Sequence, residues 1–116
     1  MAQTVLIVDD HPTFRATARM LLEAEGYDVI GEAPDGMTGI TQAGALRPDL
    51  VLLDVNLPDI DGFDVAARIT ADSGSPAVVL TSSRDPSDFG PLVRRSGARG
   101  FIAKGDLSGD AIADLL

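Results

Sequence analysis

Leu50-Val51-Leu52-Leu53-Asp54-Val55-Asn56-Leu57-Pro58-Asp59-Ile60-Asp61-Gly62 is the stretch that orders the rest of the chain. Its opening block, 50–53, is apolar without interruption, as in strands of a parallel sheet that are buried on both faces. A carboxylate follows the block directly. Asn56, Pro58, Asp61 and Gly62 are turn formers, each for its own backbone reason. Beyond them, 62–71 places Phe63, Ala66, Ala67 and Thr70 at helical spacing. The whole stretch is therefore strand, acidic strand end, turn and helix.

The same unit recurs on both sides. Strands are expected at 4–8, 27–33, 77–80 and 100–103, with Tyr27-Asp28-Val29-Ile30-Gly31-Glu32 mixed enough to read as an edge strand. A helix at 12–25 opens on Pro12, carries Phe14, Ala18, Leu21 and Leu22 on one face, and stops at Gly26. The segment 35–46 contains Gly36, Gly39 and Gly44, so it is a weak helix held by packing. A fourth helix is expected to begin late, near Asp88 or Pro91, after a mobile lead-in, because Gly90 and Pro91 interrupt it. The last, 107–116, has Leu107, Ala111 and Leu115 in register. Five strand–helix repeats in 116 residues imply one α/β domain spanning 1–116, built on a parallel sheet with right-handed crossovers. In such sheets ligands bind outside the carboxyl ends of the strands.

Composition narrows the functional classes. Eighteen acidic against nine basic residues leave a net charge of −9, which disfavours direct contact with nucleic acid. No apolar run approaches the ~20 residues of a membrane span. The start, Met-Ala-Gln-Thr, has no basic leader and does not read as a secretory signal. The absence of cysteine excludes a disulfide framework and fits a reducing cytoplasm. Eight of the nine cations are arginine, which makes Lys104, the single lysine, conspicuous.

The polar residues at the strand ends share one rim. Asp9 and Asp10 follow the first strand, Asp54 and Asn56 the third, Thr81 and Ser82 the fourth, and Lys104 closes the fifth. Singly, Asp9 or Asp10 reads as a helix cap, Asp54 as a turn initiator, Thr81 and Ser82 as loop hydroxyls and Lys104 as a surface charge. His11 reads as a solvent-facing residue at the helix start. Together the rim residues make a different chemistry intelligible. Crowded carboxylates need a cation or raised pKa values. A hard divalent ion accepts carboxylates, a carbonyl, water and phosphate oxygens. A carboxylate can then act as nucleophile toward phosphorus, with the transferred charge neutralised by cations and donors.

Four motifs in combination carry a resemblance. They are Val-Asp-Asp-His at 8–11, Leu-Leu-Asp-Val-Asn-Leu-Pro-Asp-Ile-Asp-Gly at 52–62, Leu-Thr-Ser at 80–82, and Gly-Ala-Arg-Gly-Phe-Ile-Ala-Lys at 97–104. The chain resembles a response-regulator receiver domain of two-component signalling over essentially its whole length. The resemblance implies a flavodoxin-like, doubly wound five-stranded parallel sheet in the order 2-1-3-4-5. It implies phosphorylation of Asp54 by a histidine kinase, a phosphotransfer protein or a small phosphodonor. Mg²⁺ or Mn²⁺ would be held by Asp10 directly, Asp9 through water, Asp54, and the backbone carbonyl of Asn56. Thr81, Ser82 and Lys104 would meet the phosphoryl group. Thr81 and Phe101 would form a switch acting on the face of the fourth helix, fifth strand and fifth helix; Phe101 also reads simply as a buried strand aromatic.

Two positions depart from the commonest pattern. Gly105 follows Lys104 where proline is usual, which removes the usual predictor of a cis peptide, and Phe101 lacks a tyrosine hydroxyl. The opening Asp-Asp-His-Pro resembles receivers fused to a C-terminal helix-turn-helix domain, so of two readings, a stand-alone cytoplasmic regulator or a receiver excised from a longer cytoplasmic protein, the second is favoured, and either is expected to be able to form a homodimer. Two rival classes stand beside this one: a receiver-fold interaction module working without phosphorylation, and a Mg²⁺-dependent aspartyl-phosphate hydrolase. The hydrolase is disfavoured because Asn56, not an acid, stands two residues beyond Asp54. A nucleotide-binding Rossmann domain lacks its Gly-x-Gly-x-x-Gly after the first strand.

Overall fold

The computed structural model describes residues 2–71, 74–83 and 89–116. Five strands, β1 (Thr4–Val8), β2 (Asp28–Ala33), β3 (Leu50–Asp54), β4 (Ala77–Ser82) and β5 (Gly100–Ala103), form one parallel sheet in the order β2-β1-β3-β4-β5. This is the expected doubly wound topology, with β2 on an edge as its mixed composition required. β3 and β1 lie at the centre, where their continuous apolar blocks are wholly buried.

Helices cover both faces. α1 (Pro12–Ala24) and α5 (Gly109–Ala113) pack Ala18, Leu22 and Ile112 against Val5, Ile7, Leu50, Leu52 and Val79. On the other face α2 (Gly36–Leu46) and α3 (Gly62–Ile69) bring Ala43, Val65 and Ala66 to Leu6, Val8, Leu53, Val78 and Leu80. Alternate residues of one strand thus feed two separate cores, as the pleat demands. No helix among the described residues is long and apolar enough to cross a membrane.

The glycines of α2 justify a helix held by packing. A Cβ on Gly39 would lie 2.9 Å from both Val8 methyls, and one on Gly36 would lie 2.9 Å from Val65 Cγ2. These positions therefore let α2 approach the sheet and α3 closely. The helix starts are fixed by side-chain acceptors: Asp35 takes the Thr38 N–H at 2.8 Å, Asp61 the Phe63 N–H at 2.7 Å, and Ser108 the Ala111 N–H at 3.0 Å. α4 (Leu92–Arg95) is only four residues long, begins after Pro91, and follows Gly90 with φ +51°. Its late start was expected; the lead-in at 84–88 lies outside the described residues.

Several boundaries differ from the sequence reading. β3 and β4 extend to include Asp54, Thr81 and Ser82, because the ladders Asp54↔Thr81 and Ser82↔Ala103 recruit polar residues into pairing. A 3₁₀ turn at Lys104–Asp106 occupies the start of the last connection, so α5 is shorter than 107–116. In α3 the buried pair is Val65 and Ala66, whereas Ala67 is exposed. At the opposite rim, Asp49 Oδ2 accepts from Thr4 N–H at 2.9 Å and Thr4 Oγ1 at 3.1 Å, while Asp49 N–H donates to Thr4 Oγ1 at 2.9 Å.

Candidate phosphoacceptor and metal site

β1 and β3 are adjacent, and Val8 lies opposite Leu53. The carboxylates that follow these two residues therefore meet at the carboxyl rim. Ligand atoms of Asp9, Asp10, His11 and Asp54 all lie within 4.8 Å of one another. Asp9 and Asp54 are nearly sealed from solvent, at 1% and 2% exposure, whereas the Asp10 side chain is 35% exposed. Three clustered carboxylates suit a hard divalent cation, which takes oxygen ligands and offsets their repulsion.

Asp54 sits at the last position of β3 with its backbone locked in the ladder. The Asn56 N–H donates to Asp54 Oδ1 at 3.2 Å, and Lys104 Nζ reaches Oδ2 at 3.4 Å. Burial pushes the Asp54 carboxyl above the ordinary carboxylate value, and the charge of Asp9 pushes it further. The Asn56 N–H and the Lys104 ammonium oppose this without cancelling it. The direction is that of a carboxylate waiting for positive charge.

Lys104 supplies part of that charge. Its Nζ lies 2.8 Å from Asp9 Oδ2, and 4.5 Å from the centroid of the Phe14 ring. The ammonium is thus held between two buried carboxylates with an α1 aromatic ring beside it. The peptide bonds among the described residues are all trans, and Gly105 follows in the right-handed 3₁₀ turn. The lysine reaches the rim without proline after it.

Thr81 pairs with Asp54 across the β3–β4 ladder, and the Val55 N–H donates to the Thr81 carbonyl at 2.9 Å. The Thr81 side chain is 1% exposed, and its Oγ1 is buried without a hydrogen-bond partner. A buried hydroxyl in that state normally costs stability, which marks it as a donor awaiting an acceptor. Ser82 is fully buried and accepts from Asn56 Nδ2 at 3.5 Å, so it braces the β3–α3 turn. Phe101 is half-buried, its ring centroid 5.2 Å from that of Phe89, which in turn lies 5.4 Å from Phe63.

Several residues escaped the sequence reading. Neither Asp9 nor Asp10 caps α1; His11 occupies the cap position without a side-chain bond. Its ring is 64% exposed, yet Nδ1 turns back to within 3.1 Å of both Asp9 Oδ1 and Asp10 Oδ1. Arg15 Nη1 donates to the Asp9 carbonyl at 2.6 Å and Nε to Glu32 Oε1 at 3.2 Å, bracing the acidic loop against β2. Asp59 accepts from the Gly36 N–H at 2.8 Å and the Met37 N–H at 2.9 Å, and these bonds, Met37 foremost, draw its carboxyl below the ordinary range. The one cue for Asp59 was its place inside the Asn56–Gly62 turn. Arg15 had no cue beyond its helix, since its acceptors lie on other elements.

Residues 5–113 match the family described as the response regulator receiver domain. The chain belongs to that family, the receivers of two-component signalling. MtrA of Mycolicibacterium smegmatis, described as a DNA-binding response regulator, is 43% identical over 106 residues, 90% of this chain and 45% of that protein. BvgA of Bordetella pertussis, described as a positive transcription regulator of virulence factors, is 40% identical over 104 residues, 90% of this chain and 50% of that one. A solved signal receiver domain attributed to NarL of Mycobacterium tuberculosis is 30% identical with a TM-score of 0.86, covering 98% of this chain and 96% of that one. The chain spans about half the length of the curated relatives it matches.

Proposed function

We propose that the chain, from 1 to 116, is a phosphoacceptor domain in which Asp54 takes a phosphoryl group from a histidine kinase or phosphotransfer protein. The observation that carries this is a buried, charge-hungry carboxylate flanked by Asp9, Asp10, Lys104 and a partnerless Thr81 hydroxyl. An Asp54 carboxylate oxygen forms the new bond to phosphorus as the bond to the donor's imidazole nitrogen breaks, and the nitrogen keeps the electron pair. Asp9, Asp10, Asp54 and the Asn56 carbonyl would hold Mg²⁺ or Mn²⁺, whose charge would neutralise the phosphoryl oxygens. Lys104 and the Thr81 hydroxyl supply the remaining compensation, and Ser82 keeps the Asn56 turn in place.

The acyl phosphate carries about −1.5 to −2 charges at neutral pH in place of the single charge of the carboxylate it consumes. Thr81, drawn toward it, leaves space beside Phe101, and the face of α4, β5 and α5 changes its affinity for a partner. The size of that response is set by how differently the two states bind phosphate. The only reactions assigned to the chain are its own phosphorylation and dephosphorylation, in the cytoplasm. The lengths and descriptions of MtrA and BvgA support a transcriptional output domain beyond the receiver; we place it on the C-terminal side, served by the α4-β5-α5 face, and expect the chain to be able to form a homodimer.

The test is intact mass after incubation with a small acyl phosphate. Wild type with Mg²⁺ gains one phosphoryl adduct; Asp54→Ala, or omission of Mg²⁺, gives none. No adduct on wild type sinks the reading, and many turnovers on an unrelated phosphate ester would replace it with a hydrolase.

A further inference from the structure

β5 is the outer strand of the sheet, with β4 between it and β3 and with β1 farther still. At about 4.8 Å per strand, the Lys104 side chain must reach past β4 to bring its ammonium 3.4 Å from Asp54 Oδ2 and 2.8 Å from Asp9 Oδ2. A flexible four-carbon stem is entropically costly to confine in one such pose. The main chain after it contributes little. Gly105 lacks the ring by which proline would fix the backbone, and a Cβ there would meet nothing within 4 Å. The 3₁₀ turn is closed by the Leu107 N–H donating to the Lys104 carbonyl at 3.4 Å, a long bond.

The ammonium is confined instead from the side, by Phe14. Nζ lies over the ring, 4.5 Å from its centroid, inside the about 6 Å at which a cation is drawn to the negative face of an aromatic. The ring is half-buried and packed against the core beneath α1 and α5, so it is fixed before the lysine meets it. Lys104 is only 16% exposed, and loss of water strengthens such an attraction. Ring, Asp9 and Asp54 meet the ammonium at one position, so holding it over the ring also holds it at the acceptor. As the first apolar residue of the α1 stripe, position 14 would be served equally by leucine, but leucine has no negative face.

We propose that Phe14 is a positioning residue for phosphoryl transfer, its ring face holding the Lys104 ammonium at the Asp54 carboxylate. The inference rests on the phosphoacceptor reading of Asp54 and adds a residue outside the rim to it. Phe14 acts on the transferred charge through Lys104 and changes no bond made or broken at Asp54.

The test places leucine, and separately mono-, di- and trifluorinated phenylalanine, at position 14 of the 116-residue chain. Fluorine drains the negative ring face stepwise and keeps the bulk of the ring, so this series decides the matter even where leucine destabilises α1. Lys104 is the single lysine, so selective lysine labelling reports one ε-methylene environment by NMR. In metal-free wild type that signal is displaced upfield by the ring, and Phe14→Leu returns it to the open-chain position. In parallel, the Asp54 adduct is timed by intact mass with a small acyl phosphate at saturating Mg²⁺. Its rate of formation falls about fivefold in Phe14→Leu and in steps along the fluorinated series. With wild type taking its adduct, an unmoved Lys104 signal in Phe14→Leu, or a rate unchanged along the fluorinated series, overturns this inference and leaves Asp54 as the acceptor. No adduct on wild type overturns both.

Discussion

Asp54 is held at the acidic rim in an electrostatically unfavourable state. Its folded-state pKa is raised, by burial first and by Asp9 second. Between the ordinary carboxylate value and the raised one, the folded protein keeps a proton that the unfolded chain has lost. Stability therefore falls as pH rises through that window and stays lowered above it. Asp54→Asn removes the cost, so in metal-free buffer the variant should unfold at a higher denaturant midpoint than wild type at neutral pH. The gap should close as pH drops below about 3.9, where the wild-type group is protonated in both states. Equal midpoints at neutral pH would show that Lys104 and the Asn56 N–H already balance the charge. Asp9, Asp10, Asp54, Thr81 and Lys104 were readable from sequence because each follows an apolar block, and the sheet delivers such positions to one edge. Arg15 and Asp59 were not, since their roles lie in bonds to the Asp9 carbonyl and to the start of α2, acceptors and donors that every sequence possesses.

At the scale of elements, strands were legible and helix faces less so. An uninterrupted block such as Leu50–Leu53 has few alternatives, but a helix with several small residues can be rotated. In α3 the spacing of Phe63, Ala66, Ala67 and Thr70 gave a plausible stripe. Ala66 of that stripe is buried, but so is Val65, outside it, because Gly36 of α2 leaves room for its methyl. Thr70 serves as an end group, donating to Ala66 O at 2.8 Å and Ser96 O at 3.1 Å. No period within one helix reveals a vacancy on its neighbour. Two glycines separate local preference from packing. A Cβ on Gly44 would meet nothing within 4 Å, so Gly44→Ala should stabilise α2 by about 1 kcal/mol. A Cβ on Gly62 would meet the Asp54 carbonyl and lie 2.6 Å from Val55 Cα, backbone that cannot yield. Gly62→Ala should cost about 1–3 kcal/mol and disturb the turn beside Asp54. Urea melts of both variants check this, and a stabilising Gly62→Ala would contradict the close approach.

Across the whole molecule, the sheet separates two cores built from alternate residues of the same strands. Leu80 belongs to the core under α2 and α3, Ile7 to the one under α1 and α5, and both are fully buried. Leu80→Ala should cost about 2–5 kcal/mol and Ile7→Val about 0.5–1.5 kcal/mol. The double variant should equal their sum within about 0.5 kcal/mol in chemical denaturation. A larger discrepancy would mean that strain crosses the sheet. The two ends of the strands are also unlike. At one, Thr4 and Asp49 close each other's donors and acceptors reciprocally; at the other, Thr81 keeps a hydroxyl unmatched. The lower margin of the sheet is thus closed on itself, while the upper one keeps a socket: an acceptor brought to Thr81 would add a bond there that the Thr4–Asp49 end has no free hydroxyl to match.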